Sequence, residues 1–263
     1  GAVVAGSIVD ADAVVAAIRA LWKHHHLPRK RVVAGVAGPE LAVCRTEAPD
    51  LPEEELLETL PALVANCLPM AVDEAVLDYL PLQRTVTPEG EAKLSLLVVA
   101  VPRAVVDTLL GVTRRAGVEV LSVDLQAFGL VRGAFGTAGT PEDDESCALL
   151  DIGATLTQLA VVRSGVTRFV RHLPVGGRRF TEALVDGAGM GWEEAEDLKR
   201  RIGVMSAGLP IGGDEGVRVA GLLSRAADEF ITQIATAVGD YLAEAGERSL
   251  SRVVVLGNGA RLP

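Results

Sequence analysis

Aromatic side chains are scarce in this sequence, at 3% of its 263 residues. Because large rings are few, the apolar core must be built from Val, Leu, Ile and Ala, within a hydrophobic share of 49%. Such cores are typical of α/β proteins, whose buried strands are rich in β-branched residues. The length is sufficient for one large domain or two modest ones.

Net positive charge is lacking as well, since the formal charge at pH 7 is −10. Nucleic acids and anionic membranes bind basic surfaces that neutralise their phosphates, so we expect no nucleic-acid partner. A basic cluster does stand out at residues 23–31. It lies at the predicted end of a helix, where cations complement the helix dipole, and we interpret it as a solvated helix C-terminus.

Cysteines and long apolar runs are also few. The three cysteines, Cys44, Cys67 and Cys147, are far apart in the sequence and form no CxxC pair, so we expect no disulfide framework and a reducing, cytoplasmic compartment. We find no signal peptide and no unbroken apolar stretch long enough to span a bilayer. We therefore expect no direct membrane insertion, and any location at a membrane would depend on a partner.

Apolar periodicity and turn residues predict alternating helices and strands. Residues 1–9 are small and apolar without a start methionine, as if the chain began inside a domain. Before a Gly-rich and acidic linker at 136–146, we predict helices at 10–26, 51–68, 102–116 and 126–135, and strands at 31–37, 41–48, 75–82, 94–101 and 118–124. After it, we predict strands at 147–152, 155–163 and 166–173, helices at 178–187, 192–202 and 216–245, and a last buried strand at 252–256.

The first motif with chemical meaning is LLDIGATLT at 149–157, where an apolar strand ends in Asp151 and turns tightly at Gly153 and Ala154. Small residues let backbone N–H groups approach phosphate oxygens, and the Thr155 hydroxyl adds a donor. The Asp151 carboxylate could hold the water shell of Mg²⁺. An ordinary β-hairpin with an Asp-capped turn is the alternative.

Two further motifs follow. Gly176 and Gly177 stand between a strand and a helix, with Thr181 four residues later. A glycine pair at a helix N-terminus can bind an anion, although a plain turn has the same pattern. Glu196 and Lys199 are three residues apart and share a helix face. They could form a surface ion pair or contact the sugar and base of a ligand.

The fourth motif is VVVLGNGARLP at 253–263, a strand followed by a glycine turn. Ligands of open α/β sheets bind beyond the carboxyl ends of strands, and a turn without side chains could pack flat against an adenine. In their order, the four motifs resemble the second lobe of the actin/Hsp70/sugar-kinase ATPases, whose lobes have a ribonuclease H-like α/β fold.

This resemblance implies that the second lobe binds ATP or ADP with Mg²⁺. The implied site consists of a phosphate loop with a water-mediated Mg²⁺ contact, a glycine pair near the phosphates, an adenosine-facing pair and an adenine-side turn. In that order these are Asp151, Gly153, Ala154 and Thr155, with Asp151 toward Mg²⁺; Gly176 and Gly177; Glu196 and Lys199; Gly257, Asn258 and Gly259. Asn258 stands where the superfamily commonly has glycine.

Segments of the first half are similar to the PilM family of actin-like pilus-assembly proteins. They are LPEEEL at 51–56, DEAVLDY at 73–79 and SVDLQAF at 122–128, in the family's order, and the similarity covers nearly the whole chain. The resemblance implies a first lobe at 1–145 with an inserted α/β subdomain at about 31–121. A second, nucleotide-binding lobe follows at 146–263.

The implied function is that of a cytoplasmic adaptor of type IV pilus assembly, and so of twitching motility. Such an adaptor docks the cytoplasmic N-terminal tail of a PilN-type inner-membrane protein in a groove between the main lobe and the inserted domain. Pilus motor ATPases and a second copy of the chain are further implied partners. Because the family's DIG-type first phosphate loop has no counterpart ahead of Gly1, we expect the first strands to be missing and at most weak ATPase activity.

Two other functions stay open at this point. One is that of an FtsA-type actin-like cell-division protein, and the other is that of a small-molecule kinase of the same superfamily. A kinase would need a catalytic carboxylate beside a sugar pocket, whereas residues 31–121 resemble an interaction domain.

Overall fold

The computed structural model describes residues 1–136, 145–203 and 213–262. The chain forms two compact units, one of Gly1–Asp144 with Val162–Val170 and one of Glu145–Val161 with Arg171–Pro263. Within the predicted linker at 136–146, residues 137–144 lie outside the described part. The elements up to residue 136 are β1 Val3–Val4, β2 Ser7–Ile8, α1 Ala11–His25, β3 Val32–Val36, β4 Ala42–Pro49, α2 Glu53–Val64, β5 Ala75–Val86, β6 Ala92–Pro102, α3 Arg103–Ala116, β7 Val120–Leu125 and α4 Gln126–Phe135.

The N-terminal residues form a small antiparallel hairpin of β1 and β2, which the sequence analysis did not predict. Gly6 in its turn has a φ of 91°, and a Cβ there would lie 1.9 Å from the carbonyl oxygen of Ala37. Asp10 then caps α1, accepting a hydrogen bond from the Ala13 N–H at 3.0 Å. Leu21 of this helix is exposed, because α1 packs on α3 through a narrow stripe around Val15.

An antiparallel sheet in the order β4-β6-β5 carries α2 on one face. Leu56, Leu60 and Val64 of the helix pack against Leu96 and Val98 of β6. Pro61 lies inside α2 without ending it, while Leu57 faces solvent. The same unit contains a parallel pair of β3 and β7, and Gly117 closes α3 in the left-handed conformation.

The remaining elements are β8 Ser146–Ile152, β9 Thr157–Arg163, β10 Val166–Leu173, α5 Arg178–Ala188, α6 Trp192–Ile202, α7 Gly213–Ala245 and β11 Arg252–Leu256. Their sheet has the order β10-β9-β8-β11, and β11 runs parallel to β8. The prediction that β11 is buried was wrong, since Val253 and Val255 are 52% and 48% exposed. The reason is its place at the sheet edge, where β8 is its strand neighbour among the described residues.

Helices α5, α6 and α7 build the core beside this sheet. Phe180 and Leu184 of α5 meet Leu198 of α6, and Leu223 and Phe230 of α7. In the described ranges, no helix combines the length and apolar composition that crossing a membrane requires. The packing of α5 and α6 positions the candidate site, because both helices begin or end near the loops that follow the strands.

Candidate functional site

The tight turn after β8 is the centre of the candidate site. The N–H of Gly153 donates a hydrogen bond of 2.9 Å to the carbonyl oxygen of Leu156, which closes the turn. A Cβ on Gly153 would lie 2.7 Å from that oxygen, so glycine is required there. Ala154 is exposed at the tip, and Thr155 beside it is half-buried.

The glycine pair lies directly against this turn. The N–H groups of Gly177 and Arg178 donate to the carbonyl oxygens of Gly153 and Ala154, at 3.0 and 2.8 Å. A Cβ on Gly176 would lie 2.5 Å from the Gly153 oxygen and 2.7 Å from that of Ala154. The structure therefore brings two of the predicted motifs into backbone contact, and Gly176 is the residue that allows it.

This contact changes the role that the sequence suggested for the start of α5. Its first N–H groups were predicted as anion donors, yet those of Gly177 and Arg178 are taken by protein carbonyls. Within the described part of the chain, no protein group accepts the N–H of exposed Ala154. The N–H at the tip of the turn is thus better placed to donate a hydrogen bond to an anion, and the N–H groups of Gly177 and Arg178 hold the turn in position.

The glycine turn after β11 reaches the same place. The parallel register pairs Leu256 with Asp151, so the carboxyl ends of β8 and β11 lie at one edge of the sheet. Gly257 has a φ of 85°, and its missing side chain leaves room for the Asp151 carboxylate. A Cβ on Gly259 would lie 2.3 Å from Cγ2 of Ile152. Asn258 is exposed at the tip of this turn.

Asp151 is half-buried at this edge, and its surroundings penalise its charge. Burial raises the pKa of Asp151, and a hydrogen bond from Gln158 opposes that rise. This hydrogen bond is long, with 3.4 Å between Nε2 of Gln158 and Oδ2 of Asp151. Gln158 is itself buried, and its Oε1 has no hydrogen-bond partner. The sequence analysis missed Gln158, although an amide inside the apolar strand β9 is a usable signal.

The oxygens of Asp151 and Gln158 are the kind of donor that Mg²⁺ and its bound waters prefer. The described ranges contain no group of three or more His, Cys, Asp or Glu side chains able to hold a metal ion. A metal at this edge would therefore need further oxygens from waters or from a ligand. That is how Mg²⁺ is usually held when it accompanies phosphates.

Glu196 and Lys199 lie behind the glycine pair instead of on the surface. Lys199 is 5% exposed. Its Nζ donates to Oε2 of Glu196 at 2.6 Å, to Oγ1 of Thr181 at 3.0 Å and to the carbonyl oxygen of Gly177 at 3.2 Å. An ammonium group has three donors, so all of them are engaged. The predicted ion pair is formed. Its predicted place on the surface was wrong, because the packing of α6 on α5 buries the lysine.

The carboxylate of Glu196 is equally engaged. Its Oε2 also accepts from the Thr181 hydroxyl at 2.6 Å, and its Oε1 accepts from Nε of Arg200 at 3.0 Å. Burial by itself raises the pKa of Glu196, but these hydrogen bonds and the charge of Lys199 outweigh it and lower the pKa. The cluster ties α6 to the start of α5. The predicted contact of Glu196 and Lys199 with an adenosine stays a prediction.

Known proteins are similar to this chain over nearly its whole length. The family model described as "Type IV pilus assembly protein PilM" matches residues 1–263. The solved PilM-PilN type IV pilus biogenesis complex has a TM-score of 0.81 and 22% identity, covering 99% of this chain and 72% of that one. MreB5 of Spiroplasma citri bound to ADP has a TM-score of 0.53 and 16% identity, covering 99% of this chain and 67% of that one. The predicted actin-like α/β fold is therefore confirmed.

Cell-division proteins are similar in sequence over part of the chain. FtsA of Bacillus subtilis is 25% identical over an alignment that covers 75% of this chain and 49% of that protein. FtsA of Staphylococcus epidermidis is 24% identical, covering 59% of this chain and 31% of that protein. The chain thus spans about half the length of these curated relatives, or less.

Proposed function

Since the chain belongs to the PilM family of type IV pilus assembly proteins, we propose that it is a nucleotide-binding adaptor of that machinery. In this role it binds ATP or ADP with Mg²⁺ in the unit that contains β8 and β11. It docks the cytoplasmic tail of a PilN-type inner-membrane protein through the other unit. It would work in the cytoplasm, held at the inner membrane by this partner.

The observation that carries the nucleotide proposal is that the glycine pair at 176–177 and the glycine turn at 257–259 both pack against residues 151–154. A Cβ on Gly176, Gly257 or Gly259 would lie within 2.3–2.5 Å of the backbone or side chains around Asp151 and the 153–156 turn. The missing side chains let the loops that follow β8, β10 and β11 pack directly against one another. Loops at the carboxyl ends of the strands are where open α/β sheets bind their ligands. The residues present therefore fit a nucleotide.

The electrostatics of Asp151 support a cation at the same place. A carboxylate that is removed from water destabilises the fold unless a partner compensates for the lost hydration. Here Gln158 donates a long hydrogen bond of 3.4 Å to the carboxylate. Hydrated Mg²⁺ beside Asp151 would supply this compensation. Bound Mg²⁺ would neutralise phosphate charge, while the exposed N–H of Ala154 would donate to a phosphate oxygen.

The partner proposal rests on the family and on the fold shared with the solved PilM-PilN complex. A groove suited to an extended peptide lies within the first unit, with a cavity of about 200 Å³ between β2, β3 and α3. Apolar groups such as Ile8, Val36, Val105 and Leu109 line it, and Glu40 carries the one charge among the described lining residues. Glu40 accepts a hydrogen bond from Ser7 at 2.6 Å. This lining suits an apolar side chain of an extended tail next to a basic one.

Isothermal titration tests both parts of the proposal. Mg·ATP, and separately a PilN-type N-terminal peptide, are titrated into the wild-type chain, Asp151→Asn and Asp228→Asn. Asp228 is an exposed aspartate on α7 and serves as the matched control. We expect Asp151→Asn to weaken Mg·ATP binding more than about tenfold while leaving peptide binding unchanged, since one charge–cation contact contributes on the order of 1.4 kcal/mol or more.

The outcomes separate the two parts. Peptide binding without nucleotide binding would leave a docking module and remove the nucleotide proposal. Nucleotide binding without peptide binding would remove the PilN-type partner and favour an FtsA-type role, which the FtsA relatives keep as the second candidate. If the wild type bound neither ligand, the proposed function would fail as a whole.

A further inference from the structure

Two cysteines that are far apart in the sequence lie side by side in the first unit. The Sγ atoms of Cys44 on β4 and Cys67, just beyond the end of α2, are 3.1 Å apart. Cys67 is exposed, while Cys44 is half-buried. This contact was not predicted from the sequence. Its reason is the packing of α2 on the sheet, which places Val64 and the following turn over β4.

We propose that Cys44 and Cys67 are an oxidisable dithiol, a modification site that closes to an intramolecular disulfide on reaction with a low-molecular-weight disulfide such as oxidised glutathione. This inference is independent of nucleotide and peptide binding. It rests on the contact of the two sulfur atoms, on the difference in their exposure and on the rigidity of the elements that hold them.

The reaction proceeds in two exchange steps. The thiolate of exposed Cys67 attacks one sulfur of the reagent disulfide, which breaks the reagent S–S bond and releases one thiol. The thiolate of Cys44 then attacks the Cys67 sulfur, which forms the Cys44–Cys67 bond and expels the second thiol. In total, two protein thiols lose two electrons and two protons, and the reagent takes both up as two thiols.

The packing favours the second step over a stable mixed disulfide. A disulfide bond is about 2.05 Å long, so the two sulfur atoms have to approach by only about 1 Å. Buried Leu56, Leu60 and Val64 hold α2 against the sheet, which gives the two thiols a high effective concentration. The bond would tie the end of α2 to β4 and so strengthen the layer of helix and sheet.

Cys147 supplies the matched control. It is buried in β8 of the other unit, and its sulfur contacts its own neighbour's carbonyl oxygen, that of Ala148, at 3.8 Å. The chain with Cys147→Ser keeps the pair intact, while Cys44→Ser and Cys67→Ser each remove one partner. Circular dichroism of all three variants checks that they fold.

The experiment equilibrates these variants in buffers of oxidised and reduced glutathione and measures intact mass after acid quench and alkylation. We expect the Cys147→Ser chain to lose two thiols and two hydrogen atoms without an adduct. The folded chain should be half oxidised at a ratio of reduced to oxidised glutathione at least about tenfold higher than the ratio for the same chain denatured in guanidinium. Cys44→Ser should stop with one glutathione on Cys67, and Cys67→Ser should react much more slowly.

Two results would overturn the inference. One is a Cys147→Ser chain that stops at a mixed disulfide on Cys67, because the pair would then not close. The other is an equal glutathione ratio for the folded and the denatured chain, because the fold would then contribute nothing to pairing.

Discussion

Gly257 packs against the carboxylate of Asp151 so closely that a Cβ on this glycine would lie 2.4 Å from Oδ1 of Asp151. Asp151 lies at the carboxyl end of β8, and Gly257 directly follows the neighbouring parallel strand β11. Their contact joins the first and the last of the chemical motifs in the sequence. A change at Gly257 is therefore expected to act on Asp151 as well as on the backbone.

The first prediction concerns Gly257→Ala. Alanine would be strained at the left-handed φ of 85° that Gly257 adopts, and its Cβ would clash with Asp151 and Ile152. We expect the substitution to lower the free energy of unfolding by roughly 3 kcal/mol. Gly246→Ala is the control, because Gly246 has a φ of 67° with nothing within 4 Å of its Cβ position. It should lower that free energy by roughly 1 kcal/mol, the strain of φ without the clash. Urea unfolding measures both, and equal losses would show that the contact with Asp151 is unimportant.

The second prediction concerns the buried ammonium of Lys199. Lys199→Met removes the buried cation of the Glu196 carboxylate, and we expect a loss of roughly 3 kcal/mol in the free energy of unfolding. Arg200, whose side chain is 68% exposed, is the other cation that contacts this carboxylate. Arg200→Met should lower the free energy of unfolding by less than about 0.5 kcal/mol. Should Lys199→Met prove as stable as Arg200→Met but fail to bind Mg·ATP, the lysine would be a ligand contact instead of a structural one.

The third prediction uses the raised pKa of Asp151. Burial raises this pKa above 3.8, so ionisation is harder in the folded chain than in the unfolded one. The folded state therefore loses stability as the pH rises through the window above 3.8. Without ligand, Asp151→Asn should have a higher Tm than the wild type at pH 7 and an equal Tm at pH 3. With saturating Mg·ATP, the wild type should have the higher Tm at pH 7. A wild type with the higher Tm at pH 7 in the absence of ligand would contradict this account.

The fourth prediction concerns His172 in β10. Burial lowers the pKa of His172 from 6.5 to about 4, and its Nε2 has no hydrogen-bond partner. Below pH 6.5 the unfolded chain binds a proton there and the folded chain does not, so stability falls as the pH drops toward 4. The loss should reach up to roughly 3 kcal/mol and be absent in His172→Gln. Exposed His25→Gln is the control and should follow the wild-type pH profile in urea unfolding.

Elements defined by local patterns were predicted well. The bounds of α6, Trp192–Ile202, agree with the prediction, because Gly191 and Gly203 flank an amphipathic run. The bounds of β11 and β10 agree as well, since turn residues border short apolar segments. The N-terminal hairpin was missed because its strands contain two residues each, which is too short for a periodic signal.

The sequence by itself determined which residues are chemically meaningful, the order of the four motifs and the family to which the chain belongs. These depend on residue types at local spacings, which do not change when the chain folds. The tertiary structure alone decided that Gly177 donates its N–H to Gly153, that Lys199 is buried and that Cys44 meets Cys67. Such contacts join residues from distant segments, and their geometry follows from how helices and strands pack, which local patterns do not encode.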